Sequence, residues 1–112
     1  MLESDIIKGE IGMVKHIILW KLKDEYSGVE CEQIKNGIKE GLESLLGKIP
    51  GLVEIKVITK GMQSSNADVM LDSTFEDEAA LLGYLDHPEH VSVATQRVRP
   101  YMDLRVSMDY IV

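Results

Sequence analysis

Three side chains in this 112-residue sequence have the types and spacing for proton-transfer chemistry: His90, Tyr84 and His16. Histidine alone has an ordinary pKa suited to taking and returning a proton near neutral pH, and a tyrosine hydroxyl can donate toward an oxygen that is gaining charge. Tyr84 and His90 are separated by Pro88, a break that lets both side chains converge on one cavity beneath the helices. Aldol closure of a ring needs that pair, a base beside an acidic methylene and a donor for the developing enolate oxygen. The plainer reading is structural. In it His87 and His90 brace the chain at Pro88, Tyr84 packs, and His16, on a face with Ile18 and Trp20, is a buried, hydrogen-bonded histidine.

Other chemistries find less support. A metal site from His16, His87 and His90 would straddle the junction at Pro88, with no carboxylate partner evident in the sequence. No glycine-rich phosphate loop is present, and no cofactor is implied. The single cysteine, Cys31, has no partner for a disulfide and no resolving thiol, which makes it incidental and points to a reducing cytoplasm. Nineteen acidic residues against twelve Lys and Arg give a net charge of -7, which argues against nucleic acid and anionic membranes as partners. The longest apolar run, Ile17-Ile18-Leu19-Trp20, is too short to span a bilayer.

The elements that must position these residues follow from periodicity. Val14, His16, Ile18, Trp20 and Leu22 alternate with Lys15, Ile17, Leu19, Lys21 and Lys23, which predicts a strand. Ser27-Gly28-Val29-Glu30 fits a capping box. The apolar spacing from Ile34 through Ile38, Leu42, Leu45 and Leu46 to Ile49 then predicts an amphipathic helix ending near Gly47. Val53, Ile55 and Val57 predict a second strand, and Val69, Leu71, Ser73 and Phe75 a third. A short helix with Leu81, Leu82 and Leu85 must stop at His87, because the residue before a proline is pushed out of helical geometry, and Pro88 then opens another helix with a buried stripe of Val91, Ala94 and Val98. Pro100 ends that helix, and Leu104, Val106, Met108 and Tyr110 predict the last strand.

The order is βαββαβ, an α+β ferredoxin-like sandwich with helices on one face of an antiparallel sheet. Ile17, Leu19, Leu52 and Ile58 leave the other face partly apolar, and a homodimer packing sheet on sheet would cover it. Residues 1–12 carry no periodicity. Lys8-Gly9-Glu10 can be encoded by a ribosome-binding sequence just upstream of Met13, which makes Met13 a candidate start, residues 1–12 a leader or arm, and 13–112 the domain.

Over residues 13–112 the sequence resembles the stress-responsive dimeric α/β-barrel (Dabb) domains. Met13-Val14-Lys15-His16-Ile17 is similar to their opening strand, Lys48-Ile49-Pro50-Gly51-Leu52 to their helix-to-strand turn, and His87-Pro88-Glu89-His90-Val91 to their H-P-x-H-V signature; Asp109-Tyr110 is similar to the closing strand. The resemblance implies a ferredoxin-like subunit whose sheet pairs with that of a second copy to close a barrel. It also extends to a plant member, olivetolic acid cyclase, whose base, neighbouring tyrosine and first-strand histidine fall on His90, Tyr84 and His16. Val69, Ile38 and Leu42 depart from that cyclase's histidine and pocket aromatics, so its substrate does not transfer.

Two functions follow as expectations. One is a stress-responsive homodimer with a small pocket for an apolar or aromatic ligand and no defined reaction. The other is a polyketide cyclase or cofactor-free monooxygenase-like enzyme with His90 as base, Tyr84 as donor and His16 as orienter. They differ in whether His90 reaches an open cavity or whether Ile38, Leu42, Leu81 and their neighbours fill that volume.

Overall fold

A computed structural model describes residues 12–112; the expected leader or arm lies, apart from Gly12, outside the described residues. The strands are β1 (Val14–Leu22), β2 (Leu52–Ile58), β3 (Val69–Phe75) and β4 (Met102–Ile111), and the helices are α1 (Gly28–Glu43), α2 (Glu78–Asp86) and α3 (Pro88–Val93). A π-helical turn, Ala94–Val98, and a 3-10 turn, Arg99–Tyr101, join α3 to β4. The sheet runs β2-β3-β1-β4 with every pairing antiparallel. This is the ferredoxin-like α+β arrangement. No helix among the described residues is long and apolar enough to cross a membrane.

β1 behaves as its alternation demands: Val14, His16, Ile18, Trp20 and Leu22 are all buried under the helices. Phe75, Val69 and Leu71 join them from β3, and Ile38, Leu42 and Leu45 seal the core from the α1 side. Gly41 makes this packing close. A Cβ there would stand 2.9 Å from atoms of both Val93 and Arg97, so the missing side chain lets the α3 and π-helical segment lie against α1.

Several local expectations change. Ser27 sits at the N-cap of α1 but its side chain makes no cap bond. Gly28 has a φ of +58°, and the capping box depends on helical geometry from the first residue onward. α1 ends at Glu43, short of Gly47, and tight turns then carry Leu45 and Ile49 into the core while Leu46 stays exposed. In β2 the register against β3 shifts between Leu52 and Glu54; Leu52 therefore takes the buried place and Val53 turns outward. Val91 is exposed, and the buried stripe of that segment reduces to Ala94 and Val98, because the π-helical turn winds wider than the 3.6-residue repeat that aligned Val91 with them.

The sheet edges differ. At β2, Lys39 Nζ donates to the Val57 carbonyl at 2.8 Å and Glu43 accepts from the Val57 amide at 2.9 Å, so side chains of α1 occupy the open edge. Among the described residues β4 has no such cover. Every residue from Asp103 to Ile111 is exposed, since the helices pack over β1, β2 and β3. On the face away from the helices, register places Val106 beside Leu19 and Met108 beside Ile17. Lys15 and Asp72 form an ion pair of 2.6 Å among them.

Candidate functional site

Because the helices stop short of β4, a cleft opens between β1 and β4 on one side and the α3-to-β4 connection on the other. It is a cavity of about 310 Å³, lined from β1 by His16, Ile18 and Trp20 and from α3 by His90. Leu85, Ala94 and Val98 form its apolar roof, and Arg99, Met102 and Arg105 its open side. The wall is therefore not simply apolar: two imidazoles and two guanidiniums share it.

The two sequence-identified histidines meet there by different routes. His16 lies 2% exposed in the centre of the sheet, and antiparallel register sets it directly opposite Asp109. Its Nδ1 is 2.5 Å from Asp109 Oδ1. A carboxylate can only accept, so Nδ1–H donates, and whenever the ring carries a single proton the lone pair is on Nε2. His90 Nδ1 is 3.3 Å from the Leu85 carbonyl oxygen, which likewise only accepts. The proton is again on Nδ1, and Nε2 is the basic nitrogen. Burial holds the His90 imidazole below the ordinary histidine value, partly opposed by the bond to Leu85, while Arg99, a proton on His16 and Arg105 each lower it further.

Tyr84 stands behind the wall. It is fully buried, does not line the cavity, and packs its ring 4.1 Å from His90 and 6.0 Å from His16, centroid to centroid. Burial pushes its hydroxyl far above the ordinary phenol value, so the group stays protonated. Ile38, Leu42 and Leu81 fill the core beneath rather than the cavity. His87 is not part of the site: its Nδ1 accepts from the Glu89 amide at 3.1 Å and caps α3. No group of three or more His, Cys, Asp or Glu among the described residues is placed to hold a metal ion.

Asp109 is the residue that sequence reasoning overlooked. It lies 93 residues from His16, and only the β1–β4 register brings them together. The alternation of β4 carries half of that signal, since it groups Asp109 on one face with Arg105 and Ser107; the register puts that face on the helix side of the sheet.

The same residues 14–112 match the family model described as the stress-responsive A/B barrel domain. The chain belongs to the Dabb family. A dimeric Bacteroides fragilis protein of unknown function with a ferredoxin-like fold is 32% identical to this Dabb chain, over 90% of it and 97% of its own length, with a TM-score of 0.84. A Dabb family protein from Mesorhizobium loti is 24% identical over 90% and 97%, with a TM-score of 0.71. A hydroxynitrile lyase from Passiflora edulis, 22% identical over 91% and 94% with a TM-score of 0.69, shares the fold. Comparison with curated proteins finds no match.

Proposed function

We propose that this Dabb protein is a homodimer in which each subunit carries a histidine-centred site for acid–base chemistry on a small carbonyl compound. One observation carries the reading: both histidines that line the cavity have Nδ1 held by an acceptor, Leu85 for His90 and Asp109 for His16, which makes Nε2 the basic nitrogen of each singly protonated ring. A pocket that only binds has no need of two rings locked in the same tautomer.

In the reaction, His90 Nε2 takes a proton from the carbon next to a carbonyl. The C–H electron pair becomes the C=C bond of an enolate, and the carbonyl oxygen takes the charge. In a ring closure the enolate carbon attacks a second carbonyl, a C–C bond forms, and the new alkoxide receives the proton back from the imidazolium. Asp109 holds His16 in one orientation, and Tyr84, packed at a tilt against His90, braces the ring of the base. The cyclase resemblance and the lyase of the same fold are both consistent with such proton traffic. The homodimer is supported by the exposed apolar face around Leu19, Val106 and Met108 and by the dimeric Bacteroides relative.

The test uses a simple enolisable ketone, phenylacetone, in deuterated buffer. The protein should accelerate exchange of the benzylic protons, and His90→Gln should slow that acceleration by about two to four orders of magnitude, the usual contribution of a positioned base. Equal exchange by both proteins would overturn the reading in favour of a pocket without a reaction.

A further inference from the structure

The open side of the cavity holds two guanidiniums that no carboxylate among the described residues pairs with. Arg99 and Arg105 both line it, and neither has a carboxylate within ion-pairing distance among the described residues, whose ion pairs involve only Lys15, His16, Lys39 and Lys48 as cations. Their placement is structural. Arg105 sits on the helix-side face of β4 opposite Trp20, and Arg99 begins the 3-10 turn immediately after the π-helical segment. Arg105 Nη1 makes one long contact, 3.4 Å, to Ser107 Oγ, which leaves most of its donors open.

In a chain with nineteen acidic residues and twelve Lys and Arg, carboxylates to pair with these cations are plentiful elsewhere, yet two guanidiniums and two imidazoles converge on one apolar-roofed space. The two guanidiniums, gathered without a paired carboxylate among the described residues, favour an anion between them over an empty site. The planar guanidinium fork matches a planar oxyanion, and Ile18, Trp20, Leu85 and Val98 supply the surface for an apolar body.

We propose that Arg99 and Arg105 form an oxyanion subsite, and that this site takes carbonyl compounds bearing a carboxylate on an apolar, ring-sized body. The choice of reacting atom rests on the acid–base reading above; the binding of the carboxylate does not. The guanidiniums orient the anionic end toward solvent and the carbonyl end inward toward His90.

The chain's single tryptophan, Trp20, lies in the cavity wall, so ligand binding is read by its fluorescence. Benzoate, phenyl phosphate and the neutral isostere benzamide are titrated into the whole protein and into Arg99→Gln, Arg105→Gln and His90→Gln. Benzoate should bind at least about tenfold more tightly than benzamide, and each arginine substitution should weaken benzoate about tenfold or more while leaving benzamide unchanged, as expected for loss of a charge-assisted contact. Equal affinity for benzoate and benzamide, or arginine variants indistinguishable from the parent, would overturn the subsite. A strong preference for phenyl phosphate would overturn the carboxylate assignment in favour of a phosphorylated head. His90→Gln should still bind benzoate. If phenylacetone exchange is absent while benzoate binding persists, the acid–base reading fails alone; if exchange persists without any benzoate preference, the subsite fails alone.

Discussion

The ring of Tyr84 lies 4.1 Å from that of His90, centroid to centroid, while its own buried hydroxyl has no hydrogen-bond partner among the described residues. The ring and the hydroxyl therefore make opposite contributions: the ring braces the base, and the hydroxyl is a buried donor left unmatched. Tyr84→Phe keeps the first and removes the second. It should stabilise the protein by about 1 kcal/mol or more, the usual penalty of an unsatisfied buried group, and leave phenylacetone exchange nearly unchanged. Tyr84→Ala should cost about 3–5 kcal/mol as a large-to-small core substitution and release the imidazole behind which it packs. Denaturant unfolding of the two variants checks both; a destabilised Tyr84→Phe would show that the hydroxyl is matched in solution.

The pH dependence has a definite sign. Burial, with Arg99, His16 and Arg105 nearby, lowers the His90 pKa from the ordinary 6.5. A base must be unprotonated, so exchange activity should fall only as pH drops below 6.5, through the folded-state value. Arg99→Gln and Arg105→Gln remove positive neighbours and should move that acidic limb upward. The same group affects stability: with its folded value depressed, the unfolded chain binds the proton more readily, and stability is lost as pH falls from the unfolded value through the folded one. A pH–rate profile of the parent and both variants provides the measurement. An acidic limb above 6.5 in the parent contradicts the assignment.

Asp109→Asn keeps the shape of the His16 partner but removes its charge. The hydrogen bond becomes neutral, and the carboxamide can present either a donor or an acceptor to Nδ1, so the tautomer is no longer imposed. Stability should drop by about 1–2 kcal/mol, less than the full value of a charged hydrogen bond because Asp109 is half-exposed. Exchange should slow by about tenfold or more, in line with loss of an orienting partner. Nitrogen-15 NMR of the imidazole reads the tautomer directly; an unchanged spectrum in Asp109→Asn would remove Asp109 from the site.

Val106 and Met108 project from the face opposite the helices, where Met108 is 68% exposed in the subunit. Replacing both by Lys should spare the subunit's own core and abolish sheet-on-sheet pairing. Light scattering at micromolar concentration should change from the mass of two chains to that of one, while far-ultraviolet circular dichroism is retained. A dimer that survives the double substitution would place the interface elsewhere.

Local pattern makes much of this molecule legible in its sequence. The alternation from Val14 to Leu22 places His16, Ile18 and Trp20 on a single face, and Pro88 marks the division between α2 and α3, because both are properties of neighbouring residues. What escaped depends on relations between distant segments. Asp109 acquires its role only through the β1–β4 register; Val53 is parted from the face of Ile55 and Val57, with which it alternates in sequence, by a one-residue shift against β3; the exposure of β4 is set by where the helices end. Leu104 and Val106 look like core residues in sequence, and no local signal distinguishes a strand awaiting a second copy from one already covered.

The π-helical turn at Ala94–Val98 sits upstream of Arg99 and in the roof of the cavity. Adding or removing one residue there would rotate everything that follows by about 100°, the angular step of a helix with 3.6 residues per turn. Val98, a buried core residue, and Arg99 would then face elsewhere, so the cavity lining and the packing against α1 would change together. The length of this turn thus ties the choice of ligand to the stability of the fold: the same few residues line the cavity and fill the core.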